Sequence, residues 1–260
     1  MHEIRPGSWT ELLEELFAES WRPELRRFRS QFAFRGRNDA AEDLSTSLQR
    51  LGGDAAIEGH LLRNFRKYAQ PAAVPSDSVW NWLALAQHHG LPTRLLDWTY
   101  SPFVALHFAT ADVSRYERDA IVWMVDYVSA QREAPEPLLA ALREEGMDVF
   151  TAELLATVAP GRRELEELGD FVVFLEPPSI NPRIVNQYAL FSSMSRADAT
   201  LDAWLAERPE LARRVIVPAE LKWEVRDKLD QANVTERVLF PGLDGLSRWL
   251  GRYYLPRGRS

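Results

Sequence analysis

The chain has no cysteine in its 260 residues. That absence removes disulfide scaffolds, thiolate zinc sites and cysteine nucleophiles together. Long apolar runs are missing as well. The opening residues, MHEIRPGSWTELLEELF, carry charges and a proline where a secretory leader needs an apolar stretch. No segment approaches the roughly 18 consecutive apolar residues of a membrane span, so a cytoplasmic protein is expected. Basic charge is in deficit, with 31 Lys and Arg against 38 Asp and Glu and a formal net charge of −7. That balance argues against a general nucleic-acid binder but leaves room for a local basic site. Several signatures are lacking too. There is no GxxxxGK(S/T) loop or GxGxxG turn for a nucleotide, no GxSxG elbow for a serine hydrolase, and no HExxH helix for zinc. His88 and His89 are adjacent, and neighbours in an extended segment face opposite ways, so no metal is expected.

What the chain does have is aromatic side chains (nine Trp, twelve Phe and seven Tyr), enough for an aromatic core or an aromatic-lined cleft. Ser8-Trp9-Thr10-Glu11 has the form of a capping box ahead of an amphipathic helix carrying Leu12, Leu13, Leu16 and Phe17. After a basic step at 26–29, residues 31–36 alternate as a short strand ending at a glycine turn. Helical patterns cover about 43–51 and 54–69, and Pro71 and Pro75 bound a short linker. Ser76 or Asp77 then caps a helix that stops at Gly90 and Pro92. Ser101-Pro102 places a cap and a first-turn proline before a helix over 103–111. Strands are expected at 120–125, 171–175, 188–193 and 215–217, and 128–167 reads as helical, broken at Gly146 and Pro160. Two helices, about 219–231 and 243–250, close the chain. Strands scattered among helices without regular β-α-β alternation indicate an α+β fold. A single domain is expected over 30–251, preceded by a helical extension at 1–29.

The densest chemistry lies in residues 86–109, AQHHGLPTRLLDWTYSPFVALHFA. Gln87, His88, His89, Thr93, Arg94, Asp97, Trp98 and Ser101 stand where a plain connector would hold small or solvated residues, and loops held by helices are where sites are commonly built. Arg35 precedes Gly36, which lets backbone or ligand come close. Phe34 and Trp98 offer flat apolar faces. Two arginines, these rings and the Gln87 amide suit a phosphate-bearing ligand with rings, such as a nucleotide. Structural roles fit the same residues: a buried ion pair of Arg35 or Arg94 with Asp97, histidines capping the preceding helix, Ser101 as a helix cap, and Trp98 in the core. Arg183 and Gln187 also suit tying down a helix or turn.

Four segments together resemble the FRG domain, named for its Phe/Tyr-Arg-Gly motif: Phe34-Arg35-Gly36, residues 87–109, Arg183-Ile-Val-Asn-Gln-Tyr-Ala-Leu-Phe191, and Leu239-Phe-Pro-Gly-Leu-Asp-Gly-Leu246. The resemblance spans about residues 30–250. Ala189 and Gly242 depart from the pattern, standing where Gly and Asp are expected. It implies a protein of bacteria or their phages, encoded near mobile-element or defence genes and acting as a toxin or phage-defence effector.

The order of the motifs is similar to that of ADP-ribosyltransferases, which carry a strand Arg or His, a Ser/Thr motif before a helix, and a strand bearing Glu or Gln. Arg35 matches the first, Thr99 to Ala109 with Ser101 the second, and Glu176 or Gln187 the third. This similarity implies a split β-sheet core surrounded by helices, with NAD as substrate and no metal. It implies catalytic roles for Arg35, Ser101, Glu176 and Gln187, and a nucleotide pocket of Phe34, Arg35, Gly36, Gln87, His88, Thr93, Arg94, Asp97, Trp98 and Arg183. The partner would be a macromolecular acceptor, protein or nucleic acid. Two other classes stay open: a non-enzymatic nucleotide- or nucleic-acid-recognition module, and a hydrolase or nuclease using His88 or His89 as general base.

Overall fold

In the computed structural model the strands, in chain order, are β1 (His2–Ile4), β2 (Trp21–Arg22), β3 (Arg27–Phe28), β4 (Phe32–Arg37), β5 (Leu95–Thr99), β6 (Ala120–Asp126), β7 (Phe150–Thr151), β8 (Val172–Glu176), β9 (Ala189–Met194) and β10 (Ala212–Val217). The structure describes residues 2–69, 74–179, 181–254 and 256; Pro71, one bound of the expected linker, lies outside them. Eight strands make one sheet in the order β1-β10-β6-β4-β5-β9-β8-β7, and β2 pairs with β3 as a separate hairpin. The inner pairings are antiparallel, with parallel pairs at the two edges. This is an α+β fold, one large sheet surrounded by helices.

The middle of the sheet positions the candidate site. β4 pairs with β6 from Phe32↔Asp126 to Arg37↔Ile121, and β5 pairs with β9 from Leu95↔Ser193 to Thr99↔Ala189. Between β4 and β5 a single pair, Phe34↔Thr99, joins the two halves. The core expected to be split is therefore continuous, but narrowed to a one-pair waist.

Strand alternation sorts the apolar residues onto two faces. On one face Ala33, Leu96, Trp98, Ile121, Trp123, Phe174 and Leu190 form a single layer across both halves, covered by Leu201, Trp204 and Leu205 of the helix Leu201–Ala206. The other face carries two layers instead of one. The first packs Leu95, Val173, Leu175 and Phe191 under the helices Ala55–Tyr68, Val79–His88, Glu136–Glu145 and Ala152–Val158. The second packs Phe32, Phe34, Val122 and Met124 under Trp9–Leu16, Pro102–Ala109 and Lys222–Gln231. The seam between these layers runs over the waist.

Several elements differ from the sequence reading. Residues 2–28 are more than a helical extension: β1 joins the edge of the main sheet, and Leu12 and Leu16 enter the second layer. The 86–109 segment is no loop, since Leu95–Thr99 forms a central strand; its short apolar run is too brief for a clear period. The helix after the linker is capped by Ser78, whose hydroxyl accepts from the backbone N–H of Trp80 and Asn81. Ser76 and Asp77 instead accept side-chain bonds from Asn81 and Trp82. The pattern at 43–51 yields one helical turn, Ser47–Arg50, and the supposed helical stretch 128–167 contains β7.

Candidate functional site

A cavity of about 210 Å³ lies in the seam over the waist. Its lining comes from five places: Phe34–Arg37 of β4, Gln87 and His88 at the end of the helix Val79–His88, Asp97–Thr99 of β5, Phe108, and the 183–191 segment. The sequence segments that stand far apart in the chain therefore meet where the sheet is narrowest.

Arg35 occupies the place where β4 and β5 part. Its NH1 donates to the Asp97 carbonyl at 2.5 Å and lies 3.9 Å from the Asp97 carboxylate. Its Nε is buried without a hydrogen-bond partner, as is that of Arg37. Burial pulls the Arg35 guanidinium down to about 10, helped by Arg37 and Arg50 and opposed by Asp97, so it stays charged at neutral pH. Arg183, on the opposite wall, is lowered by burial and supported by Asp97, and its guanidinium rests over the Phe240 ring at 4.9 Å. His88 is lowered by burial and by Arg183, which leaves it neutral at pH 7. Asp97 is the single carboxylate residue in a lining that also holds Arg35, Arg37 and Arg183, so the cavity attracts anions.

A chain of hydrogen bonds sets these groups. The Gln87 amide donates to Asp97 Oδ2 at 2.9 Å, and its oxygen accepts from the Thr93 hydroxyl at 2.7 Å. Thr93 is fully buried and accepts from the Leu95 N–H. On the far side the Thr99 hydroxyl donates to the Gln187 carbonyl at 2.7 Å, and the Gln187 side chain donates to the Leu239 carbonyl at 3.0 Å. Gln187 closes the short helix Pro182–Asn186 and does not begin the next strand; Tyr188 follows in a left-handed conformation, φ 49°. The Leu239–Leu246 stretch thus braces a cavity residue.

Not every candidate gathers here. Arg94 is turned away, with its side chain 2% exposed: its Nε meets Glu58 at 2.8 Å, and NH1 donates to the Ser195 carbonyl. The buried pair expected for Arg94 exists, with Glu58 in place of Asp97, and Arg162 shares that carboxylate. Ser101 caps the helix Pro102–Ala109 through the Val104 N–H and does not line the cavity. Glu176, at the exposed end of β8, accepts from the Tyr100 hydroxyl, also outside the cavity. The rings expected to stack on a ligand are in the core. Phe34 is fully buried in the second layer, while Trp98 is 3% exposed on the opposite face and donates its Nε1 to Ser192. Those two residues line the cavity without a free ring face, and the apolar wall comes from Phe108, Ile184 and Phe191. Phe108 and Arg37 sit in or beside the segments singled out from sequence, but helical or strand position alone gave no sign of the cavity.

Gly36 is explained by packing. A Cβ there would lie 1.8 Å from the Ala105 carbonyl oxygen and 2.7 Å from the Ala109 nitrogen, so the residue admits the helix Pro102–Ala109 onto β4. The histidines are not in extended chain either: His88 ends its helix and His89 is the C-cap, their rings 5.1 Å apart. Among the described residues no group of three His, Asp or Glu side chains is placed to hold a metal ion, and no helix is long and apolar enough to cross a membrane.

No curated protein and no solved structure matches the chain. A family model does, from two residues before β4 to just before β6, a span that brings Arg35, Gly36, Gln87, His88, Asp97 and Phe108 to the cavity. Its match ends before the 183–191 and 239–246 segments. The model that matches is that of the FRG domain, over residues 30–118 of this chain.

Proposed function

We propose that the cavity at the sheet waist binds a nucleotide of the NAD type and that the chain is an ADP-ribosyltransferase-like protein, acting as a toxin or phage-defence effector. One observation carries this reading: Arg35, Thr99 and Gln187, one from each of three separated motifs, line the same cavity. Between Glu176 and Gln187, the position of Gln187 in the lining favours Gln187 as the third-motif residue. Arg35 and Arg183 supply charge for a diphosphate, with Arg37, itself paired to Glu42, beside them. A cavity of about 210 Å³ is below the roughly 300 Å³ at which whole-ligand pockets begin. It suits one end of a dinucleotide, with the remainder lying outside the seam.

Cleaving the nicotinamide–ribose bond develops positive charge on the ribose, which a nearby carboxylate stabilises. Gln187 has no charge to offer, and its amide is already committed to Leu239. The Asp97 carboxylate is the one in the lining that can meet that charge, held by Gln87 and Arg35. That same scarcity favours the second reading, a module that recognises a nucleotide without turning it over.

Incubation of the protein with NAD, following free nicotinamide and the melting temperature, separates the two. Turnover with loss of about 10² to 10³ in rate for Asp97→Asn supports the enzyme. A melting-temperature rise with no nicotinamide released supports the recognition module. Neither effect from NAD or related nucleotides sinks the site as a nucleotide site.

A further inference from the structure

Away from the cavity, the hairpin of β2 and β3 carries a set of residues that stability alone does not select. Residues 21–29, WRPELRRFR, hold four arginines against one glutamate in a chain of net charge −7. Trp21 and Phe28 face each other across the ladder with ring centroids 5.0 Å apart, yet remain 47% and 69% exposed. The next pair is Arg22↔Arg27, two like charges directly opposite, an arrangement that costs stability. Arg26 closes the turn at φ 51°, where glycine or asparagine would be relaxed. Among the described residues the bonds made by these guanidinium groups go to backbone carbonyls: Arg22 to Arg29, and Arg29 to Phe28. A facing cation pair, a strained arginine and two bare rings on one small ribbon are unfavourable choices that an anionic, ring-bearing partner would offset.

From this placement we infer that the hairpin is a docking arm for single-stranded nucleic acid. Exposed aromatic faces stack unpaired bases without regard to sequence, and arginines beside them neutralise the phosphates. The ribbon is two strands, about 5 Å, across. Guanidinium groups from the face opposite the rings therefore reach the edge along which a backbone would run. A lipid surface fits less well. Membrane-seeking hairpins present apolar residues at the tip, whereas here the rings sit at the base and the turn is Pro-Glu-Leu-Arg. The FRG match begins at residue 30, beyond this arm, and the inference does not depend on what the cavity binds.

The test is fluorescence anisotropy of a labelled oligo-dT of about 20 nucleotides, titrated with the full chain over a salt series. Three arginine–phosphate contacts give a slope of log K against log salt near −2. Replacing Arg26, Arg27 and Arg29 together by Gln should weaken binding at least tenfold at low salt and carry the slope toward zero. Phe28→Ala should weaken it about tenfold with the slope kept, since stacking is not electrostatic. Melting temperatures near the parent's show that the variants fold, and Phe28→Ala still decides the matter if the triple variant does not. Three outcomes overturn the inference: no oligomer binding by the parent at low salt, binding that survives both variants, or capture of phosphatidylserine vesicles or poly-glutamate in preference to the oligomer.

Discussion

Replacing Gly36 by alanine puts a methyl carbon 1.8 Å from the carbonyl oxygen of Ala105. Carbon approaches a carbonyl oxygen no closer than roughly 3.3 Å, so the helix Pro102–Ala109 must retreat by about 1.5 Å or β4 must bend away. Neither move is cheap. Ala105, Leu106 and Ala109 of that helix are fully buried in the second layer against Phe34 and Val122, and a retreat opens voids along the contact. Overpacking typically costs 1 to 3 kcal/mol, and the opened voids add to it, giving about 3 to 5 kcal/mol in all. At roughly 2 to 4 °C per kcal/mol for a chain of this size, the melting temperature should fall by about 10 °C. Thermal unfolding by circular dichroism measures this, with Gly251→Ala as the comparison. Gly251 lies in the exposed helix Leu243–Tyr253 with open space at its Cβ position, so alanine there should be neutral or slightly stabilising. The same retreat withdraws Phe108 from the cavity wall, so ligand affinity should fall alongside stability. A Gly36→Ala protein melting within about 2 °C of the parent would show that the glycine is not there for the helix, and would return it to the ligand.

Other changes separate scaffold from site. Arg94→Leu leaves the buried Glu58 with Arg162 alone and should cost about 3 kcal/mol or more in urea unfolding, whereas Arg35→Lys should unfold close to the parent yet lose most nucleotide binding; the reverse pattern would exchange their roles. Ser101→Ala removes a helix cap and should cost about 1 kcal/mol while leaving any NAD turnover intact, so a loss of turnover at full stability would restore Ser101 as a catalytic group. His107 is pulled down to about 3 by burial and by Arg226, amid Arg252, Asp230 and Glu236; because its folded value lies below the unfolded value of about 6.5, the stability it contributes is full above pH 6.5 and drains as pH falls toward 3. Glu236, which burial alone would raise but Arg252 holds near 2, adds its own loss below about pH 4.5, so His107→Asn should flatten the melting-temperature profile between pH 6.5 and 4.5, and an unchanged slope there would refute the assignment.

Local chemistry was legible wherever one residue type dictates one conformation. Ser8 and Ser101 cap the helices that the sequence assigns to them, and Pro102 opens the second of these. The strands at 120–126 and 172–176 were visible because nearly every residue in them is buried and apolar. β1, β2, β3 and β7 are two or three residues long and hold no period to detect. At the site, the dense polar run at 86–109 marked Gln87, His88 and Asp97, the Arg-Gly step marked Arg35, and the family resemblance marked Arg183 and Gln187; all six line the cavity. Arg94 carried the same signal for a different reason: its partner Glu58 is 36 positions away, on the helix Ala55–Tyr68, a pairing that spacing within 86–109 cannot reveal. Trp98 and Phe34 misled because sequence does not say which face of a strand is closed. The Phe108 wall depends on how a helix settles over Gly36, a tertiary fact.

A pleated sheet resists sliding because every rung of its ladder must yield together, and at its middle this one has a single rung. The four strands on either side, β1-β10-β6-β4 and β5-β9-β8-β7, are stiff plates coupled by Phe34↔Thr99, with Arg35 reaching across to the Asp97 carbonyl. Thermal shear between the plates therefore collects at that line, while the interior of each plate stays quiet. Whatever lodges between Arg35 and Arg37 on one plate and Asp97 and Gln187 on the other acts as a splint. Its affinity is then set partly by the motion it arrests, and its signature is slowed amide exchange along β4 and β5, where the splint takes hold.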